Sequence, residues 1–419
     1  MRPVPIRPGK LDIITAIVLP LLACDTDRPA SSGTEEVGGV EVPVVESAEP
    51  AWGEGEGWTV AANPLVEIGA ADGPAPYLFA AIRSPRLLPD GRIVVGDARA
   101  NEIRFFDEDG RFIRAVGRSG QGPGEFEILG RLWLAPDSAS LMVTVAVADR
   151  ITRMDFAGNL LELIHIPNLL GGRAPNAIGQ FGNGRFFGLQ GSSPPRPRSG
   201  HGTTFRGSVR LVSWRGEGQD ARAHAELASD HQWLRERQDG GTSYPVMPFA
   251  ARGAYAVGAG RAYAGESAEP AIMELDPAGG VTRILHWGAE PREVTAGDRD
   301  WLVDDYVRDA RDENDARQWR RDLAEIPFPD HMPYYEGLLV DASGNLWVQR
   351  YRTEADDGPV LWDVFAKEGR WLGPVEVPSG LRVEWISEDR MVGVHYDDLG
   401  VGRVRVYALE KEANGRRAP

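Results

Sequence analysis

Residues Ser84–Phe126 read SPRLLPDGRIVVGDARANEIRFFDEDGRFIRAVGRSGQGPGEF. An apolar stretch, SPRLL, meets the turn Pro89-Asp90-Gly91. RIVVGDA follows, then a polar break at Arg99–Asn101, then EIRFFDEDG and GRFIRAVG. Asp-Gly marks two of these turns, the strongest short-range signal for a hairpin. The stretch therefore predicts four short antiparallel strands in succession. Such a unit repeated at regular spacing is the sequence form of a β-propeller, in which radial repetition leaves only short, protected sheet edges.

Working outward, the second strand recurs as DGRIVVGD (90–97), DSASLMVTV (137–145), NGRFFGLQ (183–190), AGRAYAGE (259–266), SGNLWVQR (343–350) and EDRMVGVH (388–395). The third strand and its hairpin recur as IRFFDEDGRF, ITRMDFAGNL, VRLVSWRGEG, IMELDPAGGV, DVFAKEGRWL and VRVYALEKE. The last copy lacks an outer strand, and the alternating segment at 58–68 is placed to supply it. The expectation is an all-β, six-bladed propeller of four-stranded antiparallel blades over residues 58–412, with a short disordered tail at 413–419.

Two insertions interrupt the spacing. Residues 191–207, GSSPPRPRSGHGTTFRG, form a Pro-rich basic loop. Residues 290–333 are the one helical insertion, between blades 4 and 5. Thr295 with Asp298 forms a capping-box pattern, and Leu302, Tyr306, Ala310, Trp319, Leu323 and Ile326 fall at helical spacing. The polar run RDENDAR between them leaves open one helix or two with a break.

The only cysteine, Cys24, rules out an internal disulfide. Arg2, Arg7 and Lys10 precede the short apolar run Ile13–Ala23, so residues 1–23 read as a signal peptide. Leu21-Leu22-Ala23-Cys24 resembles a bacterial lipobox, which implies lipidation of Cys24; a plain signal peptide with an incidental cysteine is the alternative. The apolar run is too short for a stable membrane span. Residues 24–57, rich in Glu, Gly, Ser and Pro, read as a disordered tether. The expected location is exported, anchored through lipid to a membrane and facing the periplasm, with inner or outer membrane left open. A net charge of −16 argues against nucleic acid. Twelve Trp and 42% hydrophobic residues are ample for a packed core. A monomer is expected.

The run LPDGRIVVGDARANEIRFFDEDGRFIRAVG and its junction GRSGQGPGEF (117–126) resemble the blades of six-bladed propellers related to NHL repeats. IPFPDHMPYYEGLLVDASGNLWVQRY (326–351) is similar to the fifth-blade entry of bacterial lipoprotein-type propellers. Blade 2 departs from the pattern, lacking an acid equivalent to Asp97. The resemblance implies a fold and an export route, and no catalytic residue is carried over.

Chemistry is sparsely marked. The seven His show no HExxH or paired spacing. GQGPGEF lacks the Lys and the strand-to-helix order of a phosphate loop and reads as a tight blade junction. No cofactor is predicted, although a channel Ca²⁺ or other divalent cation is conceivable from Asp304-Asp305, Asp356-Asp357 and Asp397-Asp398. The inner strands should begin near Ser84, Arg131, Asn176, Arg252, Glu336 and Arg382, a ring suited to a small polar or anionic ligand. All the long connections fall on one face, where Arg196, Arg198 and Arg206 add positive charge. The expected function is a ligand- or protein-binding scaffold acting through that face. A channel-metal-dependent hydrolase or lyase of gluconolactonase-like type is the alternative, and a polysaccharide reader using Trp233, Tyr334 and Tyr335 is a third.

Overall fold

The computed structural model describes residues 31–411 except 38, 146–148, 193–195, 238–239, 354 and 357. Cys24, the signal peptide, Asp357 and the 413–419 tail lie outside the described residues.

Blade 1 runs outward from the centre as Ile82–Leu87, Ile93–Asp97, Glu102–Phe106 and Phe112–Val116. Its second strand is buried at every position, whereas its outer strand alternates between half-buried and exposed. The contrast follows from position. A middle strand is covered by blades on both sides and selects continuous apolar residues, while an outer strand faces water. Five further blades follow with inner strands Leu129–Leu134, Asn176–Gln180, Gly253–Gly258, Tyr335–Val340 and Leu381–Ile386. An apolar cluster fills each space between neighbours. The ring is closed by the sixth, where Val392, Val394, Val404 and Val406 of blade 6 meet Ile82, Ile93, Val95 and Phe106 of blade 1. Each fully buried side chain of this size contributes about 1.5–3 kcal/mol.

Many hairpins share one device, Asp-x-x-Gly. Asp107, Asp155, Asp276, Asp341 and Asp397 each accept backbone N–H groups two and four residues on. The following glycines hold left-handed φ angles, +82° at Gly110 and +90° at Gly344, which a side chain would strain. Asp341 does more. It also receives Trp347 Nε1 at 3.1 Å and Lys411 Nζ at 2.9 Å, and Lys411 lies 4.5 Å from the Trp58 ring centroid.

The N-terminal segment departs from the tether expectation. Ser31–Val37 and Val40–Ser47 form a hairpin on the outer edge of blade 4, with Val44–Ser47 parallel to Ile284–Trp287. Val42 and Val44 are buried against Ile284. Ala51 and Trp52 then donate to the Trp371 and Leu372 carbonyls of blade 5. Thr59–Val60 and Val66–Ile68 pair with Gly402–Glu410 as the outer edge of blade 6. The segment is thus a belt across three blades.

Helices α1 (Ala296–Arg308) and α2 (Glu313–Glu325) form the insertion, with the polar run supplying the break. Thr295 and Asp298 make the reciprocal capping box, and the Asp312 side chain caps α2. Their apolar faces meet Trp233, Met247 and Phe249. Blade 3 reaches up to them. Its third and outer strands, Thr204–Arg215 and Gln219–Trp233, extend as a paired arm that takes in 204–207 of the expected basic loop.

Candidate functional site

No turn between inner and second strands, or between third and outer strands, exceeds five residues. Every long connection leaves from the opposite face: 69–81, 117–128, 166–175, 193–203, 234–252, the helical cap and 351–359. The inner strands begin at that face and descend into the channel.

Those inner strands share an irregularity. In five of the six, one extra residue stands against the second strand, and only Gly253–Gly258 keeps register. Glu336 is the extra residue in blade 5 and Glu384 in blade 6. The bulge in blade 1 lies between Arg83 and Arg86, with Ser84 at a left-handed φ of +44°. In blade 2 it spans Gly130 and Arg131. There Thr144 Oγ1 accepts the Arg131 N–H at 2.7 Å and donates to the Arg131 carbonyl. A Cβ at Gly130 would come 2.3 Å from that same Oγ1, so only glycine fits. A β-bulge unpairs one residue and turns its side chain out of the sheet alternation. Three of the five bulges hold a charged residue, Arg131, Glu336 or Glu384, whereas blade 3 has Ile178 and blade 1 has Ser84 and Pro85.

Two clusters result. Near the mouth, beneath the cap, Glu336 accepts from Gln349 Nε2. Burial pushes its carboxyl up to about 7, against the pull of Arg252 and Arg352. Arg292 ties this rim to the cap, donating to Asp356 and to Asp298, each at 2.8 Å. Deeper, Arg86, Arg131 and Glu384 lie within electrostatic reach of one another. Burial lowers Arg86 to about 10, with Arg131 adding to the fall and Glu384 opposing it. Arg131 is reachable by solvent yet walled by protein, and that burial lowers its pKa, again against Glu384. Glu384 is itself bonded to Arg382 Nε at 2.9 Å.

The residues expected from sequence divide accordingly. Arg131, Asn176, Arg252, Glu336 and Arg382 lie at or beside the inner strands, as anticipated. Ser84 is buried. Arg196 is exposed and lies over the Tyr244 ring at 5.0 Å, and Arg198 is exposed. Arg206 is a strut: its Nε donates to Ser229 and its guanidinium sits 3.7 Å from Glu266. Trp233 and Tyr335 are fully buried, so neither can stack on a sugar; Trp233 belongs to the core beneath the cap, and Tyr335 donates to the Ala271 carbonyl. Arg86 and Glu384 are not marked by the sequence, because strand alternation gives no sign of an insertion before Arg86 or at Glu384.

The acid pairs do not converge. Asp305 pairs with Arg308, Asp356 with Arg292 and Asp397 with Arg403. Among the described residues no three His, Cys, Asp or Glu side chains come together as a metal cage. The deep channel presents guanidinium groups where a cation would need carboxylates, so its donor set does not fit a metal.

The fold and channel define a six-bladed β-propeller with an arginine-rich axis and a helical cap. Residues 86–171 match the family model DUF5128, described as a 6-bladed beta-propeller. No curated protein matches the chain. Among solved structures, a member of the DUF4221 family from Bacteroides vulgatus is 11% identical, covering 85% of this chain and 99% of its own at a TM-score of 0.47. A gluconolactonase from Xanthomonas campestris is 14% identical, covering 83% and 98% at 0.42. The PQQ-bound aldose sugar dehydrogenase from Streptomyces coelicolor is 14% identical, covering 84% and 98% at 0.41. No role is carried from them to this chain.

Proposed function

We propose that this protein is an exported, lipid-anchored binding module that takes a small polar ligand or a protein partner on its long-loop face, at the channel mouth beneath the cap. The observation carrying the reading is the segregation of long, chemically varied connections to one face of a rigid ring, the usual placement of binding surfaces. The Glu336 rim, Arg252 and the exposed Arg196 and Arg198 all belong to that face. The anchor rests on the lipobox-like sequence at Cys24.

Pull-down from membranes tests the face. A partner lost from an Arg196→Glu/Arg198→Glu variant but kept by Asp109→Asn in a short turn supports it, and the reverse pattern overturns it. Cys24→Ser should leave the protein soluble or unprocessed; correct cleavage with full membrane retention would sink the anchor.

One observation favours a hydrolase or lyase instead. A carboxyl poised near neutrality between two arginines suits proton transfer, and Glu336 has that setting. Metal analysis of the purified protein separates the metal-dependent form of this reading, because stoichiometric Ca²⁺ or Zn²⁺ would require a donor set elsewhere.

A further inference from the structure

Arg131 lies in the bulge of the blade 2 inner strand, and on the adjacent inner strand of blade 1 Arg86, paired with Val94, directly follows the bulge at Ser84 and Pro85. Among the described residues neither guanidinium has a protein hydrogen-bond or ion-pair partner, and Arg86 Nε is wholly buried. The acid that influences both, Glu384, is already bound to Arg382. One carboxylate thus serves three guanidiniums, of which Arg131 and Arg382 are exposed and Arg86 is half-buried with its Nε shut off from solvent. Leaving buried charge uncompensated is among the costliest arrangements a fold can hold. Arg86 is in that position, and beside it local structure holds a second guanidinium in place: Gly130 admits Thr144, and Thr144 fixes the Arg131 backbone from both sides.

We infer that the channel binds an oxyanion, the carboxylate or phosphate group of a small ligand, between Arg86 and Arg131. Guanidinium is the side chain best matched to such groups because its fork of N–H donors meets two oxygens at once. An anion seated there would accept from the terminal N–H groups of the two guanidiniums and supply negative charge that offsets the Arg86–Arg131 repulsion. The site lies deeper than the proposed loop-face surface and stands or falls separately from it.

Thermal melting and calorimetry with inorganic phosphate and with citrate, against sodium chloride at matched ionic strength, test the inference. Either anion at millimolar concentration should raise the melting temperature beyond the chloride control. Phosphate alone acting identifies a phosphoryl ligand, and citrate alone a carboxylate. Arg131→Gln should weaken binding by about ten-fold or more while the anion-free variant melts no lower than wild type. A purely structural arginine would lower that melting temperature instead. Arg86→Gln should behave likewise; if it does not fold, the solvent-reachable Arg131 decides. Arg196→Glu should bind the anion as wild type does, so loss of the loop-face partner and loss of the anion are read independently. No stabilisation beyond chloride by either anion, or unchanged affinity in Arg131→Gln, overturns the inference.

Discussion

Glu336 shows how one inserted residue changes the chemistry of a strand. Burial raises its carboxyl to about 7, with Arg252 and Arg352 pulling the other way. Between the ordinary carboxyl value and about 7 the folded protein holds a proton that the unfolded chain releases. Stability should therefore fall as pH rises through that window. In Glu336→Gln the melting temperature should lose that part of its pH dependence between about 4.5 and 7; an unchanged profile would show that the carboxyl is not buried as described. Glu336, Arg131 and Arg382 were legible because charged residues near the start of an inner strand are conspicuous against apolar neighbours. Arg86 and Glu384 were not. A period of two assigns alternate residues to alternate faces, and a bulge breaks that count without altering composition.

At the scale of elements, the cap was legible and its mooring was not. Capping residues and helical spacing marked 295–326 in the sequence, but nothing there joined it to Arg235. Arg235 is buried, bonded through Nε to Asp322 of α2 at 2.6 Å and stacked 3.4 Å from the Trp319 ring centroid. Gln318 of the same helix donates to the Glu236 carbonyl. Removing one partner of a buried pair costs about 3–5 kcal/mol because the other is left uncompensated. Arg235→Ala should therefore speed amide exchange across 296–326 while strands of blades 1 and 2 stay protected. Uniform loss of protection would mean that the cap and ring unfold as one unit. The hairpin at 31–47 is hidden in the sequence for a different reason. VEVPVVES alternates as a strand should, with Val42, Val44 and Ser47 buried. The surrounding Glu, Gly and Ser have the composition of a disordered segment, and the partner edge in blade 4 is remote in sequence.

For the whole molecule, the decisive pairing is between the first and last thirds of the chain. Val66–Ile68 completes blade 6, and Arg405 Nε binds Glu67 at 2.6 Å across 338 residues. Deleting 58–68 should lower the melting temperature sharply or cause aggregation, since it strips the outer edge from one blade and opens the valine-lined seam with blade 1. Deleting 31–47 should cost less, because it uncovers one edge and leaves the ring shut. Equal effects in calorimetry would show that closure does not depend on the 58–68 segment.

The belt also imposes an order on time. The ribosome releases Glu67 long before Arg405, so the segment that seals the ring must wait, unpaired, for almost the entire chain to appear. Blades 1 to 3 can assemble from local contacts meanwhile, but blade 1 keeps one flank bare until the C-terminal strand arrives. During that interval Ile68, Ile82 and Val95 have no partner from blade 6. A nascent chain would then present an adhesive surface to its neighbours, and a holding factor able to cover it would govern yield more than any single contact in the finished ring.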